Sequence, residues 1–264
     1  MTNEERCLQI CDIAKKTGSF IAKESLSFNR NKVEEKSFNQ LVSYVDKTAE
    51  EMLVEKLHLL MPEAGFITEE QTIKTEEKEW MWVIDPLDGT TNFIHGLPVY
   101  SVSIGLMHQG KSVAGVVYEI NRDELFYAWE TGPAMLNGKK ISVKTNPHLK
   151  QSLLATGFPY YYFDLMQKYL NALHELLIGT QGMRRMGSAA VDLAYVACGR
   201  FDGFFEYGLS PWDVCGGAFI VKQAGGIVTD FNGTNDYIFG KQIIAASSSL
   251  HSTLQQTVSK HFHV

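Results

Sequence analysis

Apolar residues recur at helical spacing near the start of the chain, with Leu8, Cys11, Ala14 and Ile21 on one side. Thr2 and Glu5 form a Thr-x-x-Glu capping box ahead of them, so a helix is predicted through about residue 26. The polar stretch from Asn29 to Asn39 interrupts the pattern. A second helix is predicted from near Ser43 to Pro62, with Asp46 in its first turn and Val45, Ala49, Met52, Leu53, Leu57 and Leu60 turned inward. From Gly65 the texture changes to short strand-like runs: 65–67, 80–84, 100–107, 112–120, 124–129 and 141–143. Gln109-Gly110, Asn121-Arg122 and Asn137-Gly138 punctuate them as turns, which predicts a mainly antiparallel sheet over about 65–145. Past Asn146-Pro147, strands at 153–156, 183–186, 204–207, 227–230 and 243–246 alternate with helices at about 163–178, 188–198, 212–224 and 249–261. The fold class is therefore α/β, with an α+β N-terminal half and an α/β C-terminal half. No repeat or low-complexity linker divides the chain, so residues 1–264 are read as one unit with packed subdomains of about 1–147 and 148–264.

Composition narrows the function classes. At 45% hydrophobic and 20% charged residues, the 264-residue chain has an ordinary globular make-up, which excludes a disordered acidic tail, a collagen-like repeat and a disulfide-dense miniprotein. Its 24 basic residues against 30 acidic ones leave a charge of −6, which disfavours nucleic acid and anionic membrane as partners. The four cysteines form no C-x-x-C pair or zinc framework, and Cys7 and Cys11 fit one buried helix face. The N-terminus lacks the basic start and apolar core of a signal peptide, and no apolar run approaches the roughly 18 residues of a membrane span. The expected location is the cytoplasm.

The densest chemical signal is the string from Trp82 to Phe93, Trp-Val-Ile-Asp-Pro-Leu-Asp-Gly-Thr-Thr-Asn-Phe. A buried strand would deliver Asp85 at its carboxyl end, where α/β proteins carry functional groups. Pro86 is expected to stop the ladder. Asp88 follows, Gly89 permits a tight turn, and Thr90 and Thr91 open a helix. Two carboxylates beside an anion-receptive helix start suit a divalent cation with a phosphate. Asp-x-x-Asp-Gly alone would equally serve a capped turn whose acids satisfy backbone N–H groups. The full string decides between them, since seven fixed positions at about 5% usage match by chance in roughly one window in 10⁹.

This string resembles the signature of the inositol monophosphatase family, magnesium-dependent and lithium-sensitive phosphomonoesterases. Pro211-Trp212-Asp213-Val214-Cys215-Gly216-Gly217, continuing to Gly225-Gly226, resembles the family's second signature. Gly187-Ser188-Ala189-Ala190, Phe205-Glu206, Leu41-Val42-Ser43 with Asp46, and Thr68-Glu69-Glu70 also stand in the family's order, so the resemblance spans nearly the whole chain. It implies a layered αβαβα sugar-phosphatase-like fold, a homodimer, and two or three Mg²⁺ ions per site. Asp85 is implied to bridge two ions, Glu69 and the Leu87 carbonyl to complete the first, and Asp88 and Asp213 to hold the second. A weaker third ion is implied near Glu69.

The implied reaction is phosphate-ester hydrolysis by metal-activated water. Glu69 and Thr90 would orient and help deprotonate the water, with Asp46 orienting it further and Lys36 adding positive charge outside. Backbone N–H groups of Gly89 and Thr90 would hold the phosphate. Asp88, Gly187, Ser188, Ala189, Glu206 and Asp213 would meet the substrate's hydroxyls. Glu206 alone reads as a solvated strand-end acid; its seven-residue lead over Asp213 favours the site. The resemblance implies a small phosphorylated polyol or sugar as substrate, myo-inositol monophosphate foremost. Fructose 1,6-bisphosphate, nucleotide 3′-phosphates, NADP and histidinol phosphate are the rivals within the family. A protein- or RNA-binding module retaining the fold is the rival from another class, because some bacterial relatives work with the transcription machinery. One departure stands out: Gln40-Leu41-Val42-Ser43 replaces the family's Asp-Leu-Val-Thr and removes a carboxylate near the third ion. A covalent aspartyl phosphatase wants two aspartates separated by one residue, whereas Asp85 and Asp88 are separated by two. Arg184-Arg185 reads as a solvated pair, and His261 and His263 as part of a frayed end.

Overall fold

The computed structural model describes residues 1–28, 33–37, 40–145, 148–159 and 163–262, without the side chains of residues 33–37, 40 and 41. The polar stretch 29–39, the boundary at Asn146-Pro147 and His263 fall wholly or partly outside those residues. Helix α1 (Asn3–Ser25) starts where its capping box directs: the Glu5 N–H donates to Thr2 Oγ1 at 3.1 Å and the Thr2 N–H to Glu5 Oε2 at 2.8 Å. Cys7, Ile10, Cys11, Ala14 and Ile21 are buried, both thiols free. Leu8 is not on this face; it is 46% exposed, because one residue beyond Cys7 is a 100° rotation away.

The stretch read as a break contains strand β1 (Val33–Ser37), paired antiparallel with β2 (Gln40–Ser43). Val-Glu-Glu-Lys-Ser has one apolar residue, so no alternation reveals it. Helix α2 (Tyr44–Leu60) follows at once, capped by Ser43. It buries Val45, Ala49, Leu53 and Leu57, and Met52 and Leu60 flank that stripe half-buried.

Seven strands then form one sheet in chain order: β3 (Gly65–Thr68), β4 (Trp80–Asp88), β5 (Ser101–His108), β6 (Lys111–Glu119), β7 (Glu124–Trp129), β8 (Met135–Leu136) and β9 (Lys139–Lys140). Only the β3–β4 pair is parallel among them. Residues 141–143 do not form the expected strand. The Asn137-Gly138 turn pairs the residues immediately flanking it, leaving the Ile141 N–H to the Ala134 carbonyl and the Val143 N–H to the Ala224 carbonyl, each at 3.0 Å. Pro86 does not end β4 either. The ladder to β5 is interrupted by an irregularity after Asp85 and resumes at Asp88, because a proline lacks only its own N–H.

The second half builds a five-stranded sheet from β10 (Leu153–Thr156), β11 (Gly182–Arg184), β12 (Gly203–Tyr207), β13 (Gly226–Thr229) and β14 (Gln242–Ser247). Their order is β11-β10-β12-β14-β13, with β10 parallel to both neighbours and β14 antiparallel to both of its own. A short helix, α3 (Thr90–His95), follows β4 in the first half, and among the described residues four α-helices accompany the second sheet: α4 (Met166–Gly179), α5 (Ala189–Ala197), α6 (Pro211–Gln223) and α7 (His251–Phe262). The α7 end is held: His261 Nε2 lies 2.7 Å and Lys260 Nζ 2.5 Å from the Glu175 carboxylate on α4, so His261 is not frayed.

The layers run αβαβα. Helices α1 and α2 pack on the outer face of the larger sheet, α5 and α6 lie between the sheets, and α4 and α7 cover the smaller one. Burial on both faces explains why β4 is almost continuously apolar. Its alternation still sorts the faces: Trp82 and Ile84 join the α1–α2 core, whereas Met81 and Val83 face the α5–α6 layer, and Asp85 follows them in phase. Helix α6 lies unusually near the larger sheet. A Cβ on Gly115 would stand 2.3 Å from the Gly216 carbonyl oxygen, and one on Gly105 2.4 Å from Cys215 Sγ. Among the described residues no helix is long and apolar enough to cross a membrane.

Candidate active site

The end of β4 and the start of α3 build one wall of a cavity of about 360 Å³. The Leu87 N–H donates to Asp85 Oδ1 at 2.9 Å, which fixes that carboxylate against its own turn. Gly89 takes φ +100° as the N-cap of α3, a left-handed conformation that a side chain resists. The Thr90 hydroxyl then sits 2.8 Å from Asp46 Oδ1 and 3.1 Å from the Leu87 carbonyl. Asp46 is fully buried at the third position of α2, where its Oδ2 accepts the Ser43 N–H at 2.8 Å and the Ser43 hydroxyl at 2.6 Å. One aspartate thereby serves as helix cap and anchor for Thr90 together.

Two helix N-termini from the inner layer close on the same cavity. Asp88 Oδ2 accepts the Ser188 hydroxyl at 2.6 Å and the Ala190 N–H at 2.7 Å, tying β4 to the start of α5. Asp213, third in α6, accepts the Ser210 N–H at 2.7 Å. The Asn92 amide donates to the carbonyls of Val99 at 2.7 Å and Met186 at 2.8 Å and so holds the loop that carries Gly187. Glu206 lies at the end of β12, its carboxylate resting where Gly157 has no side chain; a Cβ there would be 2.1 Å from both oxygens.

Crowding these acids raises their proton affinity. Burial, then the charges of Glu69, Asp88 and Asp213, push Asp85 well above the usual carboxylate range. Burial pushes Asp88 up to about 6, although the Ser188, Ala190 and Ala189 hydrogen bonds and the Arg185 charge pull it down. Burial and the Asp88 charge push Asp213 up to about 7. Burial raises Asp46 as well, against the hydrogen bonds from Ser43 and Thr90. Among the described residues no three acidic, His or Cys side chains form a closed ligand cluster. The four carboxylates Glu69, Asp85, Asp88 and Asp213 instead border one cavity, and their repulsion is the condition that a bound cation relieves. The donors are all hard oxygens, a set that fits Mg²⁺ and not a soft ion.

Of the residues singled out from sequence, Glu69, Asp85, Leu87, Asp88, Gly89, Thr90, Gly187, Ser188, Ala189, Glu206 and Asp213 all border this cavity. Asp46 lies behind Thr90 and does not border it. The side chains of Lys36 and Gln40 lie outside the described residues. Three contributors escaped the sequence reading. Glu50 is buried on α2 and accepts the N–H groups of Glu70 at 2.7 Å and Thr72 at 2.8 Å, which sets the loop bearing Glu69. Its signal was a second acid four residues after Asp46 on an apolar helix face. Arg185, read as solvated, borders the cavity with its guanidinium 5.8 Å from the Phe158 ring centre. Asp192 borders it from α5; nothing in its sequence neighbourhood marks it.

A family profile described as the inositol monophosphatase family matches residues 3–263. Nus factor SuhB of Escherichia coli is 42% identical over 235 residues, covering 89% of this chain and 88% of that protein. The solved structure of extragenic suppressor protein SuhB from Bartonella henselae superposes with a TM-score of 0.90 at 38% identity, over 96% of this chain and 97% of the other. The inositol monophosphatase structure from Anabaena superposes with a TM-score of 0.87 at 34% identity, over 98% and 97%.

Proposed function

This chain belongs to the inositol monophosphatase family, and on that premise we propose that it is a Mg²⁺-dependent phosphomonoesterase acting on a phosphorylated polyol, myo-inositol monophosphate foremost. The observation that carries the reading is the convergence of Glu69, Asp85, Asp88 and Asp213 on one cavity beside Thr90. Asp85, Glu69 and the Leu87 carbonyl would hold one ion, and Asp88 and Asp213 another. When bound, Mg²⁺ supplies an acidified water and offsets charge on the leaving oxygen. Thr90, donating to Asp46, keeps its oxygen free to accept, so with Glu69 it orients the attacking water and takes up its proton. The N–H groups of Gly89 and Thr90 bind phosphate oxygens. Ser188, Ala189 and Glu206 meet the polyol. Lys36 contributes outer positive charge, and Gln40 weakens a third ion. The chain works as one catalytic unit over 1–264, in the cytoplasm and as a homodimer.

The test is phosphate release, with and without Mg²⁺, from inositol 1-phosphate, fructose 1,6-bisphosphate, adenosine 3′,5′-bisphosphate, NADP and histidinol phosphate. A Mg²⁺-dependent preference for the inositol ester is expected; flat, low release across the panel at high Mg²⁺ would overturn the reading. A second reading, a protein- or RNA-binding role, rests on the relative named Nus factor. Asp85→Asn separates the two, since it removes turnover and spares such binding.

A further inference from the structure

Glu50 is fully buried on α2, the helix that also carries Asp46 behind Thr90. Its carboxylate reaches the chain between β3 and β4, which runs from Glu69 to Glu79 without helix or strand. There it accepts three hydrogen bonds. Oε2 takes the Glu70 N–H at 2.7 Å, and Oε1 takes the Thr72 N–H at 2.8 Å and the Thr72 hydroxyl at 2.7 Å. Gln71, between the two clamped residues, has φ +55°, a left-handed conformation that a residue with a Cβ adopts at a cost. Hydrogen bonds to a buried carboxylate on either side of it offset that cost. The two adjacent acids face different surroundings: Glu69 borders the cavity, whereas Glu70 does not and has both carboxylate oxygens buried.

We propose that Glu50 is a positioning residue: by clamping the backbone on either side of Gln71 it keeps Glu69, and not Glu70, turned into the cavity, and so sets the affinity of the cation position that Glu69 shares with Asp85. The assignment rests on the phosphatase reading and deepens it. Past Thr68 no ladder fixes which acid faces inward, and the tie from Glu50 to the Glu70 N–H supplies that register. The other cation position draws its support elsewhere, Asp88 from Ser188 and Ala190 and Asp213 from the Ser210 N–H. Loss of Glu50 therefore loosens one ion and spares the other.

The experiment measures Mg²⁺ affinity by calorimetric titration of wild type, Glu50→Gln, Glu69→Gln and the double variant, and follows phosphate release from inositol 1-phosphate against Mg²⁺ concentration. Glutamine keeps the shape of Glu50 but turns one acceptor into a donor, so the clamp opens at Glu70 or at Thr72. The expected result in Glu50→Gln is a loss of about tenfold or more in affinity for one ion, with much of kcat recovered at saturating Mg²⁺ and KM for the ester nearly unchanged. In the Glu69→Gln background the same change should have little further effect, since a residue acting through Glu69 has nothing left to position. Thr72→Val removes only the hydroxyl arm from an exposed residue, so a smaller loss in the same direction carries the test should the Glu50 variant not fold. Unchanged Mg²⁺ affinity in whichever variant folds, or an undiminished further loss in the Glu69→Gln background, would overturn the assignment and leave the phosphatase reading standing. Wild-type protein that binds no Mg²⁺ and releases no phosphate would overturn that reading and this one with it.

Discussion

The β4 side of the cavity and its α5–β12 side carry the same kind of group in opposite states of support. On the β4 side both aspartates are tied, Asp85 to the Leu87 N–H and Asp88 to Ser188 and Ala190, and behind them Asp46 on α2 is tied to Ser43 and Thr90. On the α5–β12 side Asp192 keeps an unmet oxygen, and Glu206 leans on a glycine. The contrast follows from the work each side is proposed to do. In-line displacement at phosphorus tolerates little misplacement, so its groups are set before substrate arrives. Glu206, proposed to meet the polyol, can leave acceptors for the ligand to complete.

The comparison breaks hardest at Asp85. Asp85→Asn should lower kcat by about 10³-fold or more, with the fold intact by circular dichroism; retained turnover would show that the tied side is scaffolding. Thr90→Ala should cost about 10²-fold in kcat at nearly constant KM. A change confined to KM would move Thr90 from the reacting side to recognition. Gly157→Ala should displace the Glu206 carboxylate and raise KM for the inositol ester by about tenfold or less while sparing thermal stability, because the flexible acid yields before the backbone. A fall in Tm with unchanged KM would mean that the glycine serves packing alone.

The gentlest test reads the tied side through pH. Asp88 at about 6 and Asp213 at about 7 both exceed the ordinary aspartate value of 3.8. Between those limits these two groups hold more protons in the folded, cation-free chain than in the unfolded one, so the stability they contribute falls as pH rises through the window. Below the ordinary value this contribution is fully present. Tm of chelator-treated protein should decline from about pH 4 to about pH 7, and added Mg²⁺ should reduce the slope. A rising Tm over that interval would contradict the crowding of the acids.

Legibility from sequence followed how local each role is. The stretch from Trp82 to Phe93 was readable because strand, turn and helix start lie within twelve residues. Layer order followed from the resemblance, and both inner helices began close to where expected. Glu50, Asp192 and Arg185 acquire their positions from partners or walls 20 or more residues away along the chain, and of the three only Glu50 carries a local mark, an acid on an apolar helix face. The β1–β2 hairpin was hidden for another reason: its register comes from backbone pairing, with no apolar alternation to betray it. Residues 141–143 have a strand's composition, yet their N–H groups go to Ala134 and Ala224 outside the ladder.

The glycine seam between α6 and the larger sheet sets a clearance. Backbone meets backbone at Gly115 and Gly216, so that spacing has no side chain whose exchange could widen it by degrees. Asp213, one turn ahead in α6, inherits a fixed distance from the strand that carries Asp85. A lineage seeking new substrates can remodel the cavity wall at Phe158 or Arg185, whereas any residue larger than glycine at the seam would lift one side of the catalytic gap from the other.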